Sequence, residues 1–197
     1  MTLSNRKILR TLLCLLAGTL YAVCLSACDA KEPLSENRDA EIESPVIAND
    51  LSNQKVTAIA EDTQGHIWIG TFRGLNKNNV HDYHQYFCTD DSLGLPDNQI
   101  THLLRDSKNR FWVGTVNGVC LYTDKDNFRI IPIEADNKNV RQILEDRNGR
   151  IFLNTGFQLY AYHPREEKIT CVLPEISPGN AFYAQCHIAP DNNLWVM

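Results

Sequence analysis

Positive charge is what this sequence is short of: 19 lysines and arginines stand against 24 aspartates and glutamates. Three of the basic residues, Arg6, Lys7 and Arg10, fall in the first 27 positions, which hold no acid. The remainder therefore carries 16 basic against 24 acidic residues, a net of −8. No basic stripe with interleaved aromatics occurs, and a phosphate polymer needs one. Nucleic acid is thus not expected as a partner, and neutral or cationic partners suit such a surface. Also missing are a glycine-rich phosphate loop, a nucleophile elbow and a paired-carboxylate motif, so no catalytic residue can be named. No Cys or His spacing fits zinc. The nearest metal-like cluster, His81-Asp82-Tyr83-His84, has no partner motif and reads as a polar loop. Neither a metal nor a cofactor is expected.

An apolar run long enough to cross a bilayer as a helix is absent too. The apolar run without charge that precedes Cys28, residues 11–27, has 17 residues, short of the ~20 a spanning helix needs. It follows Arg6, Lys7 and Arg10 and closes on the small residues Ser26 and Ala27, the pattern of a secretory signal peptide over residues 1–27. Leu25-Ser26-Ala27-Cys28 resembles the bacterial lipoprotein signal box, which implies cleavage before Cys28 and acylation of that cysteine. Residues 28–50 hold Glu32, Glu36, Asp39, Glu41, Glu43 and Asp50, two prolines and little apolar periodicity. They read as an extended acidic linker. Of seven cysteines, Cys14, Cys24 and Cys28 belong to this leader, leaving Cys88, Cys120, Cys171 and Cys186. These four are expected as buried thiols rather than a disulfide framework.

Past the linker, the sequence repeats. Residues 61–71, Glu-Asp-Thr-Gln-Gly-His-Ile-Trp-Ile-Gly-Thr, recur in altered form at 105–115 and 145–155, and a fourth copy begins near 190. The aromatic anchors Trp68, Trp112, Phe152 and Trp195 are 44, 40 and 43 residues apart, a period that signals a repeat architecture. Each copy runs from a short apolar strand into a polar turn and out into alternating residues. Asp62, Asp106 and Asp146 precede their anchors by six residues, where a carboxylate can accept backbone N–H groups of the turn. Gly65 and Gly149, with Asn109 and Asn192 in the other copies, occupy a position that calls for positive φ. One carboxylate per copy, always in the same turn, is a folding device and not a catalytic set.

A second turn follows each anchor at residues 72–74, 116–118 and 156–158; Asn117-Gly118 is a strong hairpin signal. Third strands fit 75–77, 119–122 and 159–162, and fourth strands fit 83–88, 128–133 and 169–173. The fold class is all-β: a β-propeller of four-stranded antiparallel blades. It is expected to be incomplete, with blade 1 at 51–94, blade 2 at 95–136, blade 3 at 137–179 and the start of blade 4 at 180–197. The apolar spacing Val56/Ile59/Ala60 and Ile100/Leu103/Leu104 would suit a helix, but each run is one turn long before the turn residues break it.

Residues 95–100, 105–109, 111–115 and 117–119, together with 51–56 through 74–75, resemble the two-component regulator propeller repeat. The third copy departs, with Phe152 for tryptophan and Asn154 for glycine, and the fourth has Ala189 in place of aspartate. The resemblance covers about residues 51–197. It implies the exported sensor propeller of a hybrid two-component histidine kinase. In that family such propellers often sense saccharides and precede a small β-domain, a membrane span, a kinase and a DNA-binding regulator. The partners implied are an extracytoplasmic ligand, further blades and domains of the same protein, and a membrane. An exported enzyme and a protein-binding scaffold remain alternatives. The Asp-x-x-Gly-x-x-Trp turn resembles the sialidase Asp box, but Ala60, Leu104 and Leu144 stand where that box has serine or threonine.

In a propeller, loops entering first strands share a face with those joining second to third strands. Here that face would carry Asn53, Gln54, Phe72 and Arg73, then Asp97, Asn98, Gln99 and Asn117, then Phe157 and Gln158. Amides, an arginine and two aromatics suit an oligosaccharide, whose polar edges take hydrogen bonds and whose apolar faces stack. Ordinary turn chemistry is the other reading of the same residues.

Overall fold

The computed structural model describes residues 46–89, 93–123, 125–174 and 184–197. The signal segment, Cys28 and most of the expected linker lie outside the described residues. Among the described residues there are fifteen strands: β1 (Val46–Ala48), β2 (Val56–Glu61), β3 (Ile67–Thr71), β4 (Gly74–Asn79) and β5 (Asp82–Tyr86); β6 (Ile100–Arg105), β7 (Phe111–Thr115), β8 (Gly118–Tyr122) and β9 (Phe128–Ile131); β10 (Gln142–Glu145), β11 (Ile151–Asn154), β12 (Leu159–His163) and β13 (Lys168–Leu173); β14 (Cys186–Ile188) and β15 (Leu194–Val196). The sheet orders are β1-β5-β4-β3-β2, β6-β7-β8-β9, β10-β11-β12-β13 and β14-β15. Every pairing within these sheets is antiparallel. First strands β2, β6, β10 and β14 stand beside one another in succession. This is an open propeller: three blades and the first two strands of a fourth.

Several strand boundaries differ from those expected, two of them with consequences for packing. Val46–Ala48, placed in the acidic linker, is a fifth strand on the outer edge of blade 1, paired with β5 through Val46↔Gln85 and Ala48↔Tyr83. Gln85 Nε2 donates to Asp50 O at 2.8 Å, fastening the chain just after it. A strand this short covers an otherwise open ladder, and nothing local in its composition announces it. In blade 2 the fourth strand stops at Ile131, two residues early, because Ile133 leaves the sheet to bridge Ile169 of blade 3.

The helix-like apolar spacing has a physical cause. Val56 pairs with Thr71 and Ala58 with Gly70, so Thr57 is an extra residue; Ile100↔Thr115 and His102↔Gly114 leave Thr101 extra in the same way. A β-bulge shifts the alternation by one. Ile100 and Leu103 therefore share a face despite odd spacing, and both are buried against blade 1.

Blades hold together by burying both faces. In β7, Phe111 and Val113 pack with Trp68 and Leu75 of blade 1, whereas Trp112 packs with Ile151, Leu153 and Tyr162 of blade 3. That is why the strand reads as a continuous apolar run. The glycine after the anchor allows close approach: a Cβ on Gly70 would lie 2.5 Å from Ile100 Cγ2, and one on Gly114 would lie 3.1 Å from Val140 Cγ1. Blade 3 has Asn154 there, which reaches across instead. Its Nδ2 donates to Gln142 Oε1 at 2.8 Å and to Ala184 O, at the start of blade 4, at 2.9 Å.

Each turn aspartate is an acceptor hub. Asp106 Oδ1 accepts the N–H of Lys108 and Arg110 at 3.0 and 2.9 Å, while Oδ2 accepts Trp112 Nε1 at 2.8 Å and Arg110 Nε at 2.6 Å. Asp62 serves Gln64, His66 and Trp68 alike, and Asp146 serves Asn148 and Arg150. The Phe152 side chain has no N–H to offer, so blade 3 lacks the aromatic link. The turn residues Gly65, Asn109, Gly149 and Asn192 all have positive φ, between 62 and 84°.

At Gly65 an added Cβ would meet only Glu61 Oε1, at 3.9 Å. Any cost of substitution there is conformational, not steric. Gly65→Val is expected to destabilise by about 1–3 kcal/mol, and Gly65→Asn to be nearly neutral, because Asn109 and Asn192 hold the same conformation. Urea midpoints measure both. Equal costs would mean that backbone conformation is not what selects this residue.

Candidate functional site

The candidate loops emerge at the end of each blade where sequence order puts them. Val56↔Thr71 pairing sets the entry to β2 beside the β3–β4 connection, and Phe72 N donates to Lys55 O at 3.1 Å. In blade 2, Val116 N donates to Gln99 O at 3.2 Å. The candidate residues thus share one face, but their chemistry divides.

Several are occupied in building the loops. Asn53 Oδ1 accepts Lys55 N at 2.8 Å, and Asp97 Oδ1 accepts Gln99 N at 2.7 Å. Asn137 does the same in blade 3, accepting Asn139 N at 3.0 Å. Each is an Asx turn leading into a first strand. Asn98 ties blade 1 to blade 2: its Oδ1 accepts Cys88 N at 2.7 Å and its carbonyl accepts Gly74 N at 2.7 Å. Gln158 Oε1 accepts the Tyr160 hydroxyl at 2.6 Å.

Others remain presented to solvent. Gln54, Arg73 and Asn117 are exposed, and Phe72 and Phe157 keep 39% and 44% of their surface. Lys55 went unnoticed in the sequence although it changes what Phe72 can do. Its ammonium sits 3.6 Å from the ring centroid, so one aromatic face is already covered by a cation. The recurring Asn/Asp two residues before each Asx-turn partner would have marked Asn53 and Asp97 as turn builders, had Asn137 been aligned with them.

Below this face, His102 occupies the first strand of blade 2. Burial pushes its imidazole below the ordinary value of 6.5, and its Nδ1 lies 3.4 Å from the Ile143 N–H, positioned to accept. Both burial and that N–H favour the neutral ring over the charged one. Cys120 and Cys186 are buried, and burial raises both thiols. Cys88 and Cys171, expected to be buried, are exposed: Cys88 lies past the end of β5, and Cys171 is on the solvent side of the outer strand β13. Among the described residues no three His, Cys, Asp or Glu side chains converge as a metal site.

The family model described as two component regulator propeller matches residues 50–73 and 94–117, each a loop, a first strand, the aspartate turn and a second strand. These two segments are similar to two-component regulator propeller repeats. Among solved structures it is similar to the extracellular domains of two Bacteroides thetaiotaomicron hybrid two component systems. One is 22% identical over 72% of this chain and 19% of that one, with a TM-score of 0.59. The other is 20% identical over 75% and 21%, with a TM-score of 0.61. The chain thus spans about a fifth of either domain. Virginiamycin B lyase from Staphylococcus aureus is also similar, 20% identical over 77% of this chain and 52% of that one, with a TM-score of 0.57. At these identities the likeness is one of fold. No curated protein sequence matches the chain.

Proposed function

We propose that this chain belongs to the exported sensor propeller of a two-component system, and that its loop face takes an extracytoplasmic oligosaccharide. The observation that supports the reading is the regulator-propeller match over residues 50–73 and 94–117, which include the exposed Phe72, Arg73 and Asn117. The site residues reduce to Gln54, Phe72, Arg73, Asn117, Gln99 and Phe157. Asn53, Asp97, Asn98 and Gln158 shape the loops beneath them. Export through residues 1–27 and acylation of Cys28 would put this face outside the cell and fix the chain to a membrane. Further blades and domains of the same protein would complete the ring and carry the signal.

An enzymatic reading draws support only from fold likeness to a lyase. Amides, an arginine and aromatics suit binding better than proton transfer.

Calorimetry with oligosaccharides should show binding by the full ectodomain, weakened about tenfold by Arg73→Ala through loss of a charge-assisted hydrogen bond. The 197-residue chain should bind much more weakly, since a pocket over a propeller axis draws on loops from the whole ring. Absence of binding, or indifference to both Arg73→Ala and Phe157→Ala, overturns the saccharide site. A fatty-acid analogue should label the wild type and not Cys28→Ala; equal labelling overturns the lipid anchor alone.

A further inference from the structure

The clefts between successive blades are built from equivalent positions with different chemistry. Between blades 2 and 3, the Arg110 guanidinium lies 5.2 Å from the rings of both Trp112 and Tyr162. Glu145, the last residue of its first strand, turns onto Ser107, accepting its backbone N–H at 2.8 Å and its hydroxyl at 2.5 Å. That cleft is filled by the chain itself.

Between blades 1 and 2, the position of Arg110 is held by His66, whose shorter side chain turns onto Asp62, Nδ1 to Oδ2 at 3.1 Å. The cation over the aromatic pair is Lys77 instead, 5.2 Å from the Trp68 ring and 5.4 Å from that of Tyr122. By strand register, Leu121 and Ala161 occupy that place in the next two blades. Arg105 stands where blades 1 and 3 end their first strands with Glu61 and Glu145. A hollow of about 170 Å³ remains, bordered by Gln64, Lys77, Arg105, Asn109, Tyr122 and Asp126. At roughly 30 Å³ of liquid volume per water, it has room for an organic ion of a few carbons.

The charges there are unevenly satisfied. Asp62 accepts from the Gln64 and His66 N–H groups through Oδ1 and from Trp68 Nε1 through Oδ2. Asp126 Oδ1 accepts the hydroxyls of Tyr86 and Tyr122 at 2.7 and 2.6 Å. The cations commit less. Among the described residues Lys77 Nζ donates to the Tyr122 hydroxyl at 3.4 Å and its charge also faces the Asp126 carboxylate, and Arg105 gives Nη1 to Asp62 O at 3.1 Å. An ammonium has three N–H groups and a guanidinium five, so both have donors left for an anion. From this cleft, on the face opposite the ligand-facing loops, we infer a binding site for a small organic carboxylate, its oxygens taken up by Lys77 and Arg105.

The test titrates the 197-residue chain with acetate, lactate and succinate, and separately with inorganic phosphate at matched ionic strength, following backbone amide shifts by NMR. Lys77→Leu and Arg105→Glu install residues that other blades carry at the same places, so spectra should otherwise overlay the wild type. Should either variant lose the fold, Lys77→Gln or Arg105→Gln is read in its place. The expected result is saturable shifts at Gln64, Lys77, Arg105 and Asn109 with at least one carboxylate, about tenfold weaker in each variant. Three results overturn the site: no saturation with any carboxylate, tighter binding of phosphate, or unchanged binding in either variant.

Discussion

Trp112→Ala should cost about 3–5 kcal/mol, the range for truncating a fully buried large aromatic, and should leave the chain largely unfolded at room temperature. Trp112 has 0% of its surface exposed and stands at the centre of the interface between blades 2 and 3. Its ring meets Tyr162 edge-on at 4.9 Å and carries the Arg110 guanidinium at 5.2 Å, and its Nε1 donates to Asp106 Oδ2. Alanine removes the packing, leaves a cavity between two blades and strips one donor from a buried carboxylate. Trp112→Phe separates these effects. It keeps a ring, as Phe152 does at the matching place in blade 3, and should cost only about 1–2 kcal/mol, mostly for the lost hydrogen bond. Urea unfolding followed by circular dichroism measures both. An alanine variant within about 1 kcal/mol of wild type would mean that the blades do not depend on this contact.

Asp62→Ala should be the next largest, at about 2–4 kcal/mol, because one carboxylate holds several donors that alanine would orphan. Trp68 Nε1, the N–H groups of Gln64 and His66, and the His66 ring all converge on it. Its ionisation adds a pH signature. Burial by itself would raise the Asp62 carboxyl, but the Trp68 N–H, the two backbone N–H groups and the His66 ring outweigh it, and the net shift is below the ordinary 3.8. A depressed folded value means that the stabilisation is complete above about 3.8 and is lost as the pH falls through the lower folded value. The gap between wild type and Asp62→Ala should therefore be constant from neutral pH to about pH 5 and should shrink as the pH falls below the ordinary 3.8. Asp126 and Asp146 are lowered as well, so the wild type loses stability over the same window while the variant loses less. A gap that stays constant to pH 2 would mean that the Asp62 charge plays no part in holding the turn.

The loop face shows where local reading stops. Sequence order alone put Asn53, Asp97 and Arg73 on one side of the propeller, because strand connections in a known topology emerge from known ends. It did not tell an acceptor spent on its own backbone from one offered to a ligand. Asn53 Oδ1 is bound to Lys55 N and Asn98 Oδ1 to Cys88 N, whereas Arg73 and Asn117 stay exposed. Asn53, Asn98 and Asn117 are the same residue type; only their surroundings differ. Lys77 makes the point more sharply. In the sequence it is one lysine in a short strand, and its position over Trp68 and Tyr122 depends on two blades meeting.

What the sequence by itself determined is whatever rests on neighbours along the chain. That covers the 40- to 44-residue period, the positive-φ turns at Gly65, Asn109, Gly149 and Asn192, and the four antiparallel strands of each blade. Turn chemistry and alternation act within a few residues, so one sequence suffices to read them. Tertiary structure decided the rest. It set the bulges at Thr57 and Thr101 that bring Ile100 and Leu103 to one face, the pairing of Val46–Ala48 with β5, and the unequal clefts between blades. Each of these depends on contacts between residues far apart in the chain, and packing, not local preference, selects among the arrangements that local preference allows.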